Sequence, residues 1–210
     1  MSLKVKVCGM KYADNIEAVG ALMPDYMGFI FFPSSPRFVG MDFHIPAGLP
    51  RQAGRVGVFV NEQTEAIIQL ARQHQLTHIQ LHGTESVAEC KMLRNLGYSV
   101  IKAFAIHPDF DFNNLRSYSE AVDFFLFDSP SQNHGGSGKV FSWALLSNYK
   151  LEVPFFLSGG LSSEIVRTHA LPQHPQFFAL DVNSGVEDSP GIKNVNKVMD
   201  FLQTVKSISS

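Results

Sequence analysis

The sequence contains little cysteine and tryptophan and no long apolar run. Two cysteines and one tryptophan occur among 210 residues. Cys8 and Cys90 could pair, but in a chain of this size without an export signal both are expected to be reduced. No segment approaches the roughly 20 consecutive apolar residues of a membrane-spanning helix. The first residues also lack the charged and then apolar pattern of a secretory signal. We therefore expect a soluble protein of the cytoplasm.

The chain also lacks an excess of charge of either sign. It carries 17 Lys and Arg against 19 Asp and Glu, for a formal net charge of -2. The Lys and Arg residues form no basic stripe of the kind that nucleic-acid-binding surfaces use. Neither nucleic acid nor a membrane is an expected partner.

What the chain does contain is a regular alternation of short apolar runs with amphipathic segments. Eight runs have the length and composition of strands, and several are apolar at nearly every position, as in a parallel sheet covered on both faces. The predicted strands are 3–7, 26–31, 55–59, 78–81, 99–104, 124–127, 155–157 and 177–181. The clearest predicted helices between them are 64–74, 86–96, 163–170 and 194–205.

Eight such units within residues 1–210 predict a single domain, a compact α/β barrel of the (β/α)₈ type. The proline-rich connection 33–50 is expected to hold only a short helix. A doubly wound open sheet is the alternative, but it normally has fewer strands, and no G-x-G-x-x-G motif follows the first strand. In either fold the C-terminal ends of the strands meet on one face, where α/β enzymes build their sites.

Two reactive side chains stand at the ends of predicted strands. Cys8 ends the first strand directly before Gly9, and Asp128 follows the apolar run 124–127. A free thiol has a pKa near 8.5, so it needs a depressed pKa or a nearby proton acceptor to act as a base at pH 7. A carboxyl group with a pKa near 3.9 needs aromatic or other apolar surroundings to act as an acid. The structural alternatives are a small buried hydrophobe for Cys8 and a turn former for Asp128.

Glycine turns follow the last two predicted strands. Gly159 and Gly160 come after the seventh strand, and Ser184 and Gly185 come after the eighth. Many (β/α)₈ barrels bind phosphate at these two positions through backbone amides. One glycine turn is a weak signal, but two on successive strands predict a site for a small phosphorylated molecule.

Three other features indicate chemistry less convincingly. Residues 135–139 are similar to a phosphate-binding loop, but Val140 replaces the Ser or Thr that this motif requires. His74 and His78 have the spacing of a zinc-binding helix, yet they straddle a helix end and a strand start, so no metal site is expected. Cys90 lies within a predicted helix and is expected to be structural.

Taken together, the motifs resemble the phosphoribosylanthranilate isomerase family. The resemblance covers essentially the whole chain and keeps the order of the family's motifs. It is carried by residues 6–10, 28–31, 35–39, 56–61, 79–83, 135–138, 157–161, 181–187 and 190–191. The family consists of single (β/α)₈ TIM barrels. The resemblance implies an Amadori rearrangement of N-(5-phosphoribosyl)anthranilate to 1-(2-carboxyphenylamino)-1-deoxyribulose 5-phosphate, in tryptophan synthesis from anthranilate, without a cofactor.

The resemblance also implies roles for individual residues. Cys8 corresponds to the family's general base and Asp128 to its general acid. Arg37 corresponds to the contact with the anthranilate carboxylate, since a planar guanidinium suits a planar carboxylate. His82 belongs to a motif that we assign to substrate binding. The phosphate contacts correspond to backbone amides around Gly159, Gly160, Ser184 and Gly185. A monomer and a homodimer both remain open.

Other functions remain as alternatives. One is another cofactor-free sugar-phosphate isomerase of barrel type, although the related histidine-pathway isomerase has an aspartate where this chain has Cys8. A metal-dependent pentose-phosphate epimerase requires clustered His and Asp ligands, which the sequence does not provide. A barrel that binds phosphate without catalysis is the third alternative, and loss of the acid or the base would favour it.

Overall fold

The structure is a computed structural model and describes residues 2–50, 52–129 and 142–208. The barrel strands are β1 Lys4–Val7, β2 Tyr26–Ile30, β3 Gly54–Phe59, β4 His78–Leu81, β5 Ser99–Ala105, β6 Phe124–Asp128, β7 Phe155–Leu157 and β8 Phe177–Val182. A hairpin of β9 Glu187–Ser189 and β10 Ile192–Lys193 follows. The α-helices are α1 Ala13–Gly20, α2 Thr64–Gln73, α3 Val87–Asn95, α4 Ser163–Thr168 and α5 Val195–Ile208. Short 3₁₀ helices cover Phe112–Tyr118, Trp143–Asn148 and Ser184–Val186.

The strands form a closed parallel barrel. Each strand pairs with the next one in sequence, and β8 pairs with β1. The (β/α)₈ prediction is therefore confirmed, and the open-sheet alternative is wrong. Each predicted strand is present, with ends that differ by no more than one residue from the observed ones. None of the helices within the described ranges is long and apolar enough to cross a membrane.

The connection between β2 and β3 differs from the prediction. Residues 31–50 form turns and no helix, with an isolated bridge between Ile30 and Phe38. The physical reason is the proline content of this segment, because proline lacks an amide hydrogen and disfavours helical backbone in the residue before it. The connection is consequently irregular: its first part carries Arg37 next to Gly9, and further along Phe43 of the larger core packs against Phe29 and His74.

Alternate positions of the strands enter two different cores, as the two-residue repeat of a strand requires. The smaller core contains no helix residue and therefore fills the barrel interior, with Val56, Ile101, Ala103, Leu126, Phe156 and Ala179. The larger core includes the buried faces of the helices and lies between them and the sheet. Lys6 and Asp181 pair in register across β1 and β8. Asp181 comes two residues after Ala179, so the barrel interior becomes charged towards the C-terminal ends of the strands.

Helix α3 begins at a capping box. Ser86 Oγ accepts a hydrogen bond from the Glu89 amide at 3.3 Å, and the Glu89 carboxylate accepts one from the Ser86 amide at 2.7 Å. These bonds satisfy amides that a helix start leaves unpaired, and the bonds from Ser86 lower the pKa of Glu89. Losing such a cap costs about 0.5–2 kcal/mol. The cap fixes where the chain leaves the loop that carries His82.

Candidate active site

The predicted site residues lie along one end of the barrel. Each follows the C-terminal end of a strand or closes it: Cys8 after β1, Arg37 after β2, His82 after β4, Asp128 at the end of β6, Gly159 and Gly160 after β7, and Ser184 and Gly185 after β8. Because the strands are parallel, these ends form a single rim. The loop 135–138, which carries part of the resemblance, lies outside the described residues.

The Cys8 thiol is buried just inside this rim. The residue is 4% exposed, and its amide donates to the Val182 carbonyl oxygen at 2.9 Å. A Cβ on Gly28 would come within 2.7 Å of Cys8 Sγ, so the glycine on β2 leaves room for the thiol. Burial raises the pKa of Cys8, and the charges of Lys6 and Lys193 act against this rise. The depressed pKa that a thiol base needs is therefore not supplied by burial.

A buried ion pair lies next to Cys8 in the barrel interior. Lys6 Nζ is 2.9 Å from Asp181 Oδ1, and the two side chains are 0% and 5% exposed. Lys6 precedes Cys8 by two residues on the strand, and both side chains border Gly28: a Cβ on that glycine would also meet Lys6 Cε at 3.2 Å. Burial lowers the pKa of Lys6, but attraction to Asp181 and Cys8 outweighs it and keeps the pKa above its ordinary value. Burial also raises the pKa of Asp181, and the attraction of Lys6 acts against this rise, so each charge of the pair stabilises the other.

Asp128 faces His82 across the rim. Asp128 Oδ2 is 3.4 Å from His82 Nε2, and Asp128 Oδ1 accepts a hydrogen bond from the Ser129 amide at 2.8 Å. On its other side, His82 Nδ1 accepts from Nε2 of the buried Gln80 at 2.8 Å. In this arrangement the ring hydrogen of neutral His82 lies on Nε2, facing Asp128. These contacts of the carboxylate are polar, unlike the aromatic surroundings expected from the sequence.

Arg37 reaches the rim beside Cys8. Its Cδ would lie 2.8 Å from a Cβ on Gly9, so the absence of a side chain there lets Arg37 approach. The guanidinium donates from Nε to both carboxylate oxygens of Glu187 at 3.0 Å and from Nη2 to one of them at 2.6 Å. Lys193 Nζ lies 2.6 Å from the same carboxylate. Although burial raises the pKa of Glu187, its bonds with Arg37 and Lys193 outweigh this and lower it.

The glycine turns pack tightly against neighbouring chain. Gly159 and Gly160 have φ of +97° and +66°, in the region that favours glycine. A Cβ on Gly159 would lie 2.2 Å from Ser129 Oγ, and one on Gly185 would lie 1.9 Å from the Leu161 carbonyl oxygen. Packing alone thus requires glycine at positions 159 and 185. The Gly185 contact also joins the turns after β7 and β8 into one continuous surface.

Sequence reasoning missed the polar residues that support this site: Lys6, Gln80, Asp181, Glu187 and Lys193. For Asp181 a signal existed, because it interrupts an apolar strand, and a charge buried in a strand needs a partner. Gln80 gave a weaker signal of the same kind. Lys6 gave no such signal, since β1 alternates Lys and Val as a strand with one polar face does. Nothing in the sequence indicates the partners of Glu187 and Lys193, which depend on the hairpin β9–β10.

The histidines with zinc-helix spacing are separated in the fold. His74 packs against Phe31 and Phe43, with ring centroids 5.1 and 5.5 Å away. His78 packs against the edge of Tyr26 at 5.1 Å. Across residues 2–50, 52–129 and 142–208, no group of three or more His, Cys, Asp and Glu side chains could hold a metal ion.

The closed barrel, with a thiol, a carboxylate and a guanidinium on its C-terminal rim, defines the class of protein: a (β/α)₈-barrel enzyme. Comparison with known proteins gives the family. The model of the N-(5'-phosphoribosyl)anthranilate (PRA) isomerase family matches residues 5–204. The N-(5'-phosphoribosyl)anthranilate isomerase of Parabacteroides distasonis is 42% identical over 204 residues, which cover 96% of this chain and 92% of that protein.

Solved structures agree with this match. The crystal structure of phosphoribosyl anthranilate isomerase from Thermotoga maritima has a TM-score of 0.82 and 33% identity, covering 98% of this chain and 99% of that one. A phosphoribosyl anthranilate isomerase in complex with reduced 1-(o-carboxyphenylamino)-1-deoxyribulose 5-phosphate has a TM-score of 0.78 and 29% identity, with the same coverage. The chain belongs to the N-(5'-phosphoribosyl)anthranilate isomerase family. It is an isomerase of tryptophan biosynthesis, and the resemblance seen in its sequence is confirmed.

Proposed function

We propose that Cys8 is the general base and Asp128 the general acid of the Amadori rearrangement of N-(5'-phosphoribosyl)anthranilate. Their positions are the observation that supports this most, since they end β1 and β6 on the same rim of a closed parallel barrel. Both also interact electrostatically with the buried carboxylate of Asp181. A substrate lying across the barrel mouth then has an acid on one side and a base on the other.

The reaction needs one proton given and one proton taken. Asp128 protonates the ribose ring oxygen, and the furanose opens to an imine. Cys8 removes the proton from C2′, which gives an enolamine, and tautomerisation of the enolamine yields the ketone. Each residue therefore acts at one stated atom. Over the whole reaction C1′ is reduced and C2′ is oxidised, so this internal exchange needs no external oxidant or reductant.

Binding is assigned to the remaining rim residues. Arg37 binds the anthranilate carboxylate: Glu187 holds the edge of the guanidinium formed by Nε and Nη2, and Nη1 takes no part in those bonds. His82, which faces Asp128 at 3.4 Å, contacts the substrate on the acid side. The amides around Gly159, Gly160, Ser184 and Gly185 bind the phosphate, a role supported by the contact between their two turns.

Two substitutions test the acid and the base. Cys8→Ser keeps the shape but replaces the thiol with a group that hardly ionises, and Asp128→Asn keeps the volume but removes the transferable proton. Acid and base groups typically contribute about 10²–10⁴-fold, so kcat should fall by that factor while KM changes little. The fluorescence decrease on consumption of phosphoribosylanthranilate measures both constants.

Cys90→Ala is the matched control. Cys90 is the other cysteine and is fully buried in α3, within the larger core between the helices and the sheet, so its removal should leave kcat unchanged once folding is verified. Near wild-type kcat in Cys8→Ser would contradict the assignment of the base, and near wild-type kcat in Asp128→Asn that of the acid.

Burial of the Cys8 thiol determines in which direction the pH dependence of the activity is shifted. Because burial raises the pKa of Cys8 in the free enzyme, the rising limb of kcat/KM should lie above the ordinary range of a thiol. In Cys8→Ser this limb should disappear from the pH profile. A limb that persists unshifted in Cys8→Ser belongs to another group.

The same proposal covers the rest of the molecule. Residues 1–210 act as one domain in the cytoplasm, as a monomer or a homodimer, on a small phosphorylated substrate and without a cofactor, a metal, nucleic acid or a membrane. Light scattering of the purified protein measures the number of chains. A reaction that uses protein side chains alone should keep its rate after prolonged treatment with a chelator. Adding divalent metal ions back should not change that rate.

A further inference from the structure

Lys6 is a fully buried cation that the proposed reaction steps do not use. It is 0% exposed, and its partner Asp181 is 5% exposed. Removing two charges from water costs more than their attraction often returns, so a buried ion pair is weak evidence of stabilisation. A pair of this kind next to a reacting thiol therefore calls for a functional explanation.

Geometry places Lys6 against the Cys8 thiol. Cys8 directly follows β1, two residues beyond Lys6, so the two side chains lie on the same, inner face of the chain. Both border the position that a Cβ on Gly28 would take, and its missing side chain provides the space that they share. Asp181 anchors the ammonium from β8 at 2.9 Å.

We propose that Lys6 is a positioning residue for catalysis, whose ammonium, anchored by Asp181, stabilises the thiolate of Cys8. This inference rests on the proposed role of Cys8 as the base. Proton removal requires the thiolate, and a cation within a few ångströms favours the charged form of an acid. Without Lys6, the thiolate of Cys8 loses the positive charge that stabilises it most.

The charges around Cys8 come from three elements. Lys6 on β1 and Lys193 on β10 favour the thiolate, whereas Asp181 on β8 disfavours it. The influence of Lys6 is the largest of the three. On β2 the neighbouring residue is Gly28, which brings no charge. Lys6 is consequently the residue whose replacement should change the thiol most.

The thiol can be titrated directly. In a Cys90→Ala background Cys8 is the sole cysteine, and its thiolate absorbs in the ultraviolet, so the difference from the same protein with Cys8→Ser gives its titration curve. Lys6→Met should move the midpoint to higher pH by about one unit or more, which is at least about tenfold less thiolate at a given pH. Lys6→Arg keeps the charge and should restore most of the curve.

Asp181→Asn separates electrostatics from structural damage. It breaks the same ion pair, but it leaves the ammonium and removes a negative charge, so the midpoint should move to lower pH. Movement of both variants in the same direction, or of neither, would overturn the inference. If Lys6→Met does not fold, the double variant with Asp181→Asn carries no unpaired buried charge, and it should still show a higher midpoint because Lys6 outweighs Asp181.

Lys4→Met is the matched control. Lys4 lies two residues earlier on the same strand, and its ion pair with Asp25 is partly exposed to solvent, which screens its charge, so the Cys8 curve should not change. The rising limb of kcat/KM against pH distinguishes this inference from the proposed function. If Lys6→Met moves the midpoint of the Cys8 titration but not the rising limb of the kinetic pH profile, Cys8 is not the base. The role of Lys6 in stabilising the thiolate would then still stand. An unmoved midpoint refutes the role of Lys6, whatever Cys8→Ser shows.

Discussion

Gly159→Ala, compared with Gly40→Ala, isolates the contact between the β7 turn and the strand that carries the acid. Both glycines have φ of +97°, so an alanine at either position meets the same backbone strain. Their surroundings differ. A Cβ on Gly159 would lie 2.2 Å from Ser129 Oγ and 2.7 Å from its amide nitrogen, whereas a Cβ on Gly40 would have no heavy atom within 4 Å.

The magnitudes follow from these two situations. Gly40→Ala should cost about 1–2 kcal/mol of unfolding free energy, the penalty of a side chain at positive φ. Gly159→Ala should cost about 1–3 kcal/mol more, because the Ser129 backbone must move to make room. The strain cancels in the difference, so the difference measures the contact alone. Urea unfolding, extrapolated linearly, provides both free energies.

The catalytic consequence provides an independent measurement. The Ser129 amide donates to Asp128 Oδ1 at 2.8 Å, so displacing Ser129 also displaces the proposed acid. Gly159→Ala should therefore lower kcat as well as stability, and Gly40→Ala should lower stability alone. Equal losses of stability in the two variants would refute the reasoning, since the turn would then have space that the structure does not show.

Two further predictions concern Arg37 and His78. Arg37→Ala should weaken substrate binding by about 1.5–3 kcal/mol, as for a lost hydrogen bond to a charged group. KM should rise for the natural substrate but not for an analogue without the anthranilate carboxylate. Equal losses for the two substrates would mean that Arg37 does not bind this carboxylate. Burial lowers the pKa of His78 to about 4 in the folded state, whereas its pKa in the unfolded state has the ordinary value of 6.5. The folded protein therefore binds this proton only at a lower pH than the unfolded chain does. The free energy of unfolding should decrease by about 3 kcal/mol more in the wild type than in His78→Gln as the pH falls from about 6.5 to 4, and parallel denaturation curves for the two proteins would contradict this assignment.

The fold could be predicted because the strands are recognisable from their composition. Runs such as Phe124–Asp128 are short and apolar at nearly every position, as expected of a strand in a parallel sheet covered on both faces. The error in residues 33–50 came from expecting a short helix, of the kind that a regular barrel has after each strand. Proline and turn residues there favour irregular backbone, which brings Arg37 over Gly9.

The site could be predicted only in part, for a geometric reason. Cys8 and Asp128 end their strands, so parallel pairing alone brings them to one rim. The supporting contacts depend on distances that no local pattern encodes. Arg37 and Glu187 are 150 positions apart and meet only because a hairpin follows β8. The raised pKa of Cys8 is likewise a property of the assembled barrel, since burial produces it.

Buried ion pairs share one arrangement around this rim. Among the described residues, three pairs have both side chains no more than 5% exposed, and each lies beside a proposed functional residue: Lys6–Asp181 beside Cys8, Lys193–Glu187 beside Arg37, and Lys102–Glu85 beside His82. Lys102 also donates to the Gly83 carbonyl oxygen at 2.8 Å, and Glu85 accepts from the Gly83 amide at 3.0 Å, so this pair fixes the backbone directly after His82. Such pairs contribute little net stability, but a partner removed from any of them leaves an uncompensated charge. Burying these pairs at the rim costs desolvation free energy, but it holds the neighbouring side chains in one position. Acid and base catalysis requires such fixed positions.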